Sequence, residues 1–176
     1  MAYAYTFLTR YACFSSGPKG AIMTTAAQIL NSKPDKNIYT TTPAAFAFDA
    51  VRLMAEKGIG ALIVMENDAI VGIVSERDYA RKIDLRSRSA VDTRVREIMT
   101  SAVMYVRPSH TSEECMVLMT QNRLRHLPVM EHGKLIGLVS IGDLVKDVIS
   151  EQKFIIEQLE HYITGSVVEH EANEAA

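Results

Sequence analysis

Apolar and polar positions follow one succession of patterns along this chain, and the chain runs through that succession twice. Phe48, Val51, Leu53 and Met54 fall at helical spacing ahead of Gly58, which predicts a helix stopped by a glycine. Ala61 to Met65 and Ile70 to Val74 are β-rich runs on either side of Asn67-Asp68, a hairpin signal. A second helix is predicted to start at Ser75. Ahead of these, Ala26 to Asn31 predicts a short helical lead-in, broken at Lys33-Pro34-Asp35. Ile38 to Thr41 predicts a strand that stops at Pro43, because the residue before proline is pushed to extended geometry. The order then repeats: a strand at Met104 to Val106, Pro108, a helix through Cys115 to Met119, a strand over Leu127 to Met130, a turn at His132-Gly133, a strand over Leu135 to Val139 and a helix from Ser140. Each copy reads β-α-β-β-α, and the polar stretch Asp84 to Thr93 reads as an exposed connector.

The two copies superpose without a gap at an offset of 65 residues, Gly72 falling on Gly137. Pro43 then meets Pro108, Leu53 meets Leu118, Met54 meets Met119, and Val64-Met65-Glu66 meets Val129-Met130-Glu131. Both copies carry Gly-apolar-Val-Ser-x-x-Asp, as GIVSERD (Gly72 to Asp78) and GLVSIGD (Gly137 to Asp143). A three-stranded unit with two helices buries too little apolar surface to stand alone, so the copies are expected to pack face to face.

Composition narrows the function classes. Apolar residues make up 48% of the 176 and the net charge is −2, which gives no basic excess of the kind a nucleic-acid binder carries. No apolar run is long enough to cross a bilayer. Two cysteines, Cys13 and Cys115, lack metal-like spacing and predict neither a disulfide framework nor a zinc site, which points to the reducing cytoplasm. The five histidines show no ligand-like pairing, the methionines read as core filler, and no nucleophile elbow, Walker loop or acid/base carboxylate pair occurs. The chain is therefore not expected to be an enzyme or to need a metal or cofactor. At the start, Arg10 interrupts what would be a signal-peptide core, so a cleaved export signal is not expected; residues 1–25 read as a leader or disordered segment, with Met23 opening the domain proper.

Ser75 with Asp78, and Ser140 with Asp143, fall on the first turn of a helix that follows a strand. A carboxylate accepts two hydrogen bonds from a vicinal diol such as ribose, and a hydroxyl beside free N–H groups at a helix start suits a phosphate. The same spacing also makes a capping box, in which both side chains only satisfy the helix's own backbone. Both readings stand at this point.

These features together resemble a tandem pair of CBS domains, the Bateman module: the paired β-α-β-β-α units, IYTTTP before the first helix, GIGALIV and RLRHLPV leading into the second strands, and the doubled Gly-apolar-Val-Ser-x-x-Asp. The resemblance implies an α/β fold of the α+β type, two pseudo-symmetric CBS units packed sheet to sheet plus a C-terminal helix. Its implied limits are 26–85 for the first repeat with its lead-in helix, 86–94 for the connector, 95–150 for the second repeat, 151–165 for the helix extension and 166–176 for a flexible tail. It also implies two clefts that take adenine nucleotides or adenosyl ligands such as AMP, ATP or NAD. One would combine Ile73, Ser75, Arg77 and Asp78 with Arg107, Pro108, Leu124, Arg125 and His126. The other would combine Leu138, Ser140 and Asp143 with Thr42, Ala47, Ile59, Gly60 and Ala61. Arg77, Arg107 and Arg125 would make the first cleft the better phosphate site, with Arg123 left as a surface charge. His126 reads either as a base-stacking ring or as an ordinary half-exposed strand end. The expected function is that of a non-catalytic ligand or energy sensor, read out by an unidentified regulated protein. A scaffold for protein or RNA is the alternative, although nucleic acid and membrane are not expected partners. The helix from Leu144 to Ile163 leaves Phe154 to Ile163 beyond the copied unit, so a homodimer is expected to cover its apolar face.

Overall fold

The computed structural model describes residues 24–174. The leader expected over residues 1–25 lies outside them except for Thr24 and Thr25, which belong to the fold. In chain order the elements are α1 (Ala26–Ser32), β1 (Thr40–Thr41), α2 (Ala47–Lys57), β2 (Ala61–Glu66), β3 (Ala69–Ser75), α3 (Glu76–Lys82), α4 (Val95–Ile98), α5 (Ser112–Asn122), β4 (His126–Glu131), β5 (Lys134–Ser140) and α6 (Ile141–Glu174). The repeat is visible in fine detail. Antiparallel β2–β3 and β4–β5 share the same register, with an irregularity at Val64/Met65 in one and at Val129/Met130 in the other. Their turns use left-handed residues at matching places, Asn67 and Asp68 in the first and His132 and Gly133 in the second.

The first strand of each unit is shorter than expected. β1 pairs in parallel with β2 over two residues only, and its counterpart shrinks to a bridge between Val106 and Val129. Pro128 accounts for the second loss. Ile63, its equivalent, donates its N–H to Tyr39 O at 3.3 Å, whereas proline has no N–H to give to Met104.

The lead-in helices cross over. Thr25 caps α1 with a capping box, and α1 then packs on the second repeat, not the first. Its buried Ala26 and Ile29 share a core with Val106, Cys115, Met119, Leu127, Val129, Val139 and Leu144. The N–H groups of Ala26 and Ala27 donate to His110 O (2.8 Å) and Pro108 O (3.0 Å). In the mirrored exchange, Val95 and Ile98 of α4 join the first core with Met54, Leu62, Val64 and Val74. The N–H groups of Val95 and Arg96 donate to Ala45 O (2.9 Å) and Pro43 O (3.1 Å). The Arg94 guanidinium stacks 3.7 Å from the Phe46 ring centroid and donates to Ala44 O.

The motif glycines make room for this exchange. A Cβ on Gly72 would stand 2.7 Å from Met99 Sδ, and one on Gly137 would stand 2.5 Å from Leu30 Cδ1. At the other end, α6 continues through Gly165 to Glu174, into the segment expected to be a flexible tail from 166. Its last stretch carries Glu169, Glu171, Ala172 and Glu174, which favour helix, and a single glycine costs only ~1 kcal/mol there.

Candidate functional site

Both Ser-x-x-Asp corners are built alike. Asp78 Oδ2 accepts the backbone N–H of Ser75 (3.1 Å) and its hydroxyl (2.7 Å), while Asp78 N–H donates to Ser75 Oγ (3.3 Å). Asp143 Oδ2 accepts the N–H and the hydroxyl of Ser140, both at 2.7 Å, and Asp143 N–H donates to Ser140 Oγ (3.3 Å). The capping geometry is therefore present in each. Each aspartate also holds a lysine, from a different source. Lys82, one turn along α3, contacts Asp78 Oδ1 at 2.9 Å and donates to Ile98 O. Copy two has Asp147 where copy one has Lys82, so the cation has to come from elsewhere. Lys33, just past α1, supplies it, 2.9 Å from Asp143 Oδ2 and donating to Leu138 O at 2.8 Å.

The difference matters chemically. Asp78 engages both oxygens, whereas the Ser140 hydrogen bonds and the Lys33 ion pair of Asp143 fall on Oδ2. Oδ1 thus keeps its acceptor capacity for an incoming hydroxyl. Burial pushes the Asp143 pKa up, but the Lys33 and Ser140 hydrogen bonds outweigh it and hold the carboxyl below its usual value. It is an anion at neutral pH.

Each corner opens on a cavity. The one at Asp143 is about 400 Å³, lined by Ser140, Leu138 and Lys146, by Ile59, Gly60 and Ala61, and by the Lys33-to-Tyr39 segment. The one at Asp78 is about 220 Å³, walled by Ile73, Ser75, Arg77, Arg81, Thr100, Met104 and the Arg123-to-His126 segment. Among the described residues no group of His, Cys, Asp and Glu could hold a metal ion.

The CBS domain family model matches residues 26–85 and 95–150. The chain belongs to the CBS domain family. Its CBS relatives include the mitochondrial CBS domain-containing protein CBSX3 of Arabidopsis thaliana, 39% identical over 150 residues, which are 81% of this chain and 73% of that protein. Among solved CBS structures, a putative signal-transduction protein from Burkholderia ambifaria is 62% identical with a TM-score of 0.71, covering 73% of this chain and 96% of that one. CBSX2, solved in complex with AMP, is 25% identical with a TM-score of 0.60, covering 72% and 97%. Tandem CBS domains are regulatory modules, and CBS-domain proteins are generally non-catalytic.

Of the residues that the CBS resemblance assigned to clefts, the structure gathers thirteen and leaves four outside. Ile73, Ser75, Arg77, Asp78, Leu124, Arg125 and His126 line the smaller cavity, and Leu138, Ser140, Asp143, Ile59, Gly60 and Ala61 line the larger. Thr42, Ala47, Arg107 and Pro108 line neither. The crossed lead-ins are the reason: Pro108 O takes the N–H of Ala27, and Ala47 is buried with its N–H on Thr93 O at 2.8 Å. Thr42 and Arg107 are exposed beside these covered segments.

The charge picture changes as well. The larger cleft has cations of its own, Lys33, Lys36 and Lys146, lining it with Asp35 and Asp143. The smaller cleft loses Arg107 and gains Arg81 and Arg123, so four arginines face one aspartate there. Arg123 is exposed, as a surface charge would be, and its backbone rather than its guanidinium makes the contacts: it caps α5 in the left-handed conformation, and its carbonyl accepts the Arg77 guanidinium at 3.1 Å. The lysines lie in or beside the lead-in and on α6, where a reading confined to the doubled motif had no reason to look.

Proposed function

We propose that this CBS-domain protein is a regulatory module that binds an adenine nucleotide or related adenosyl ligand, of the AMP, ATP or NAD type, in the cleft at Asp143. One observation carries the reading. A carboxylate with a spare oxygen, three lysines and a side-chain-poor strand start at Gly60-Ala61 converge on one cavity of about 400 Å³. That volume falls within the ~300–1,000 Å³ typical of small-molecule pockets, whereas 220 Å³ falls short of it. In this arrangement Asp143 Oδ1 accepts the ribose diol, the lysines meet the phosphate, and the base lies toward Gly60. The AMP complex of CBSX2 supports the choice of ligand class. AMP is expected to bind with micromolar-scale affinity, about −8 kcal/mol.

Binding would draw Lys33 toward the ligand phosphate and so loosen its hold on Asp143, which links cleft occupancy to the lead-in that bridges the repeats. A partner protein reads that change, and α6 is the element through which two copies of the chain associate. The buried, unpaired thiol of Cys115, pushed up to about 11 by burial and the nearby Glu114, suits a reducing compartment such as the cytoplasm. The test is to denature the purified protein and identify released small molecules by mass spectrometry. An adenine nucleotide recovered in proportion to protein is the expected result. Its absence, together with no uptake of added AMP, would overturn the proposal.

A further inference from the structure

His126 is, among the described residues, the one side chain that borders both cavities. The repeat offset places it opposite Ala61 of copy one, so the pseudo-twofold pair has a ring on one side and a methyl group on the other. It sits at the start of β4, against the second strand start of the first repeat. A Cβ added at Gly60 would lie 3.7 Å from both Cε1 and Nε2 of the imidazole, and 3.4 Å from Glu76 Oε2. The ring therefore occupies the ground between the two corners.

The geometry points to His126 as a shared wall that makes the two clefts mutually exclusive, so that the chain takes up one nucleotide and not two. This rests on the nucleotide reading above. The smaller cavity, about 220 Å³, is below the usual size for such a ligand. A ligand seated beside Gly60 presses the ring toward that cavity and reduces it further, while removing the ring enlarges it. Burial, with Arg125 close by, holds the imidazole neutral at pH 7, so it acts as a partition and not as a cation recruiting phosphate to either side.

The experiment is calorimetric titration of the full chain with AMP, comparing the parent with His126→Ala and His126→Phe. Alanine is what copy one carries at this position, and phenylalanine keeps the bulk while removing the ring nitrogens. The expected result is one AMP per chain for the parent and for His126→Phe, and two for His126→Ala, with the new site at least ~10-fold tighter than any residual second binding in the parent. Two AMP per parent chain, or one per His126→Ala chain, would overturn the exclusion and leave the nucleotide reading intact. No AMP bound by any of the three would instead overturn the nucleotide reading, and the exclusion with it.

Discussion

A methyl group on Gly137 would meet three atoms of Leu30 within 3.1 Å, and one on Gly72 would come within 3.2 Å of the Thr100 carbonyl as well as striking Met99. Neither glycine has a positive φ, so close approach, and not backbone freedom, keeps them small. Gly72→Ala and Gly137→Ala are each expected to lower stability by about 1–3 kcal/mol, read as a fall in melting temperature. Unchanged melting would mean that the lead-ins do not seat there. His126 makes a separate prediction at this scale. Burial and then Arg125 lower its pKa to about 4 from the ordinary 6.5, so between those values the unfolded chain binds a proton that the folded chain refuses. Stability should therefore fall as pH drops from 6.5 toward 4, by at most about 3 kcal/mol. His126→Gln should flatten that part of a melting-temperature profile. Asp143, with its lowered pKa, gives up its own contribution only at lower pH, below about 3.8, so the two effects separate.

At the scale of elements, α6 reaches farthest beyond the repeats. Its 34 residues span roughly 51 Å, and past the second repeat's core it exposes Phe154, Ile155, Ile156, Leu159 and Tyr162. Ile141, Val145, Val148, Gln152, Ile155, Leu159 and Tyr162 alternate four- and three-residue steps, the spacing of a helix that packs lengthwise on another, with one polar position at Gln152. A dimer by light scattering at micromolar concentration is the expectation, lost or weakened at least tenfold on truncation after Ser150. A monomer with the helix intact would contradict it. The longer helices, the turns and the paired strands were legible in the sequence because each is written locally, with glycine or asparagine at the turns and three- and four-residue apolar steps, whereas the four-residue α4 was not read there at all. The short first strand of copy two was legible only to a reader who asked what Pro128 does to a neighbour's hydrogen bond. The crossing of α1 and α4 was not legible, because a lead-in carries no local mark of which core it joins.

For the whole molecule, that crossing also decides how much of the candidate site could be foreseen. The Ser-x-x-Asp corners and the Gly60-Ala61 strand start follow from the repeat itself. Thr42, Ala47, Arg107 and Pro108 were expected in the clefts because nothing in the motif indicates that the lead-in backbones would cover those segments. Lys33 and Lys36 were missed for the converse reason, since they arrive at the larger cleft on the same lead-in. The two clefts thus share a motif and differ in everything that folds over it. The most direct test of the central claim is calorimetry of AMP binding to the parent, to Asp143→Ala and to Asp78→Ala. Losing a charged hydrogen-bond acceptor at the ribose should weaken binding at least ~10-fold in Asp143→Ala, while Asp78→Ala should bind within about twofold of the parent and merely melt earlier. Parent-like affinity in Asp143→Ala, with only a lowered melting temperature, would reduce that aspartate to a helix cap and contradict the account.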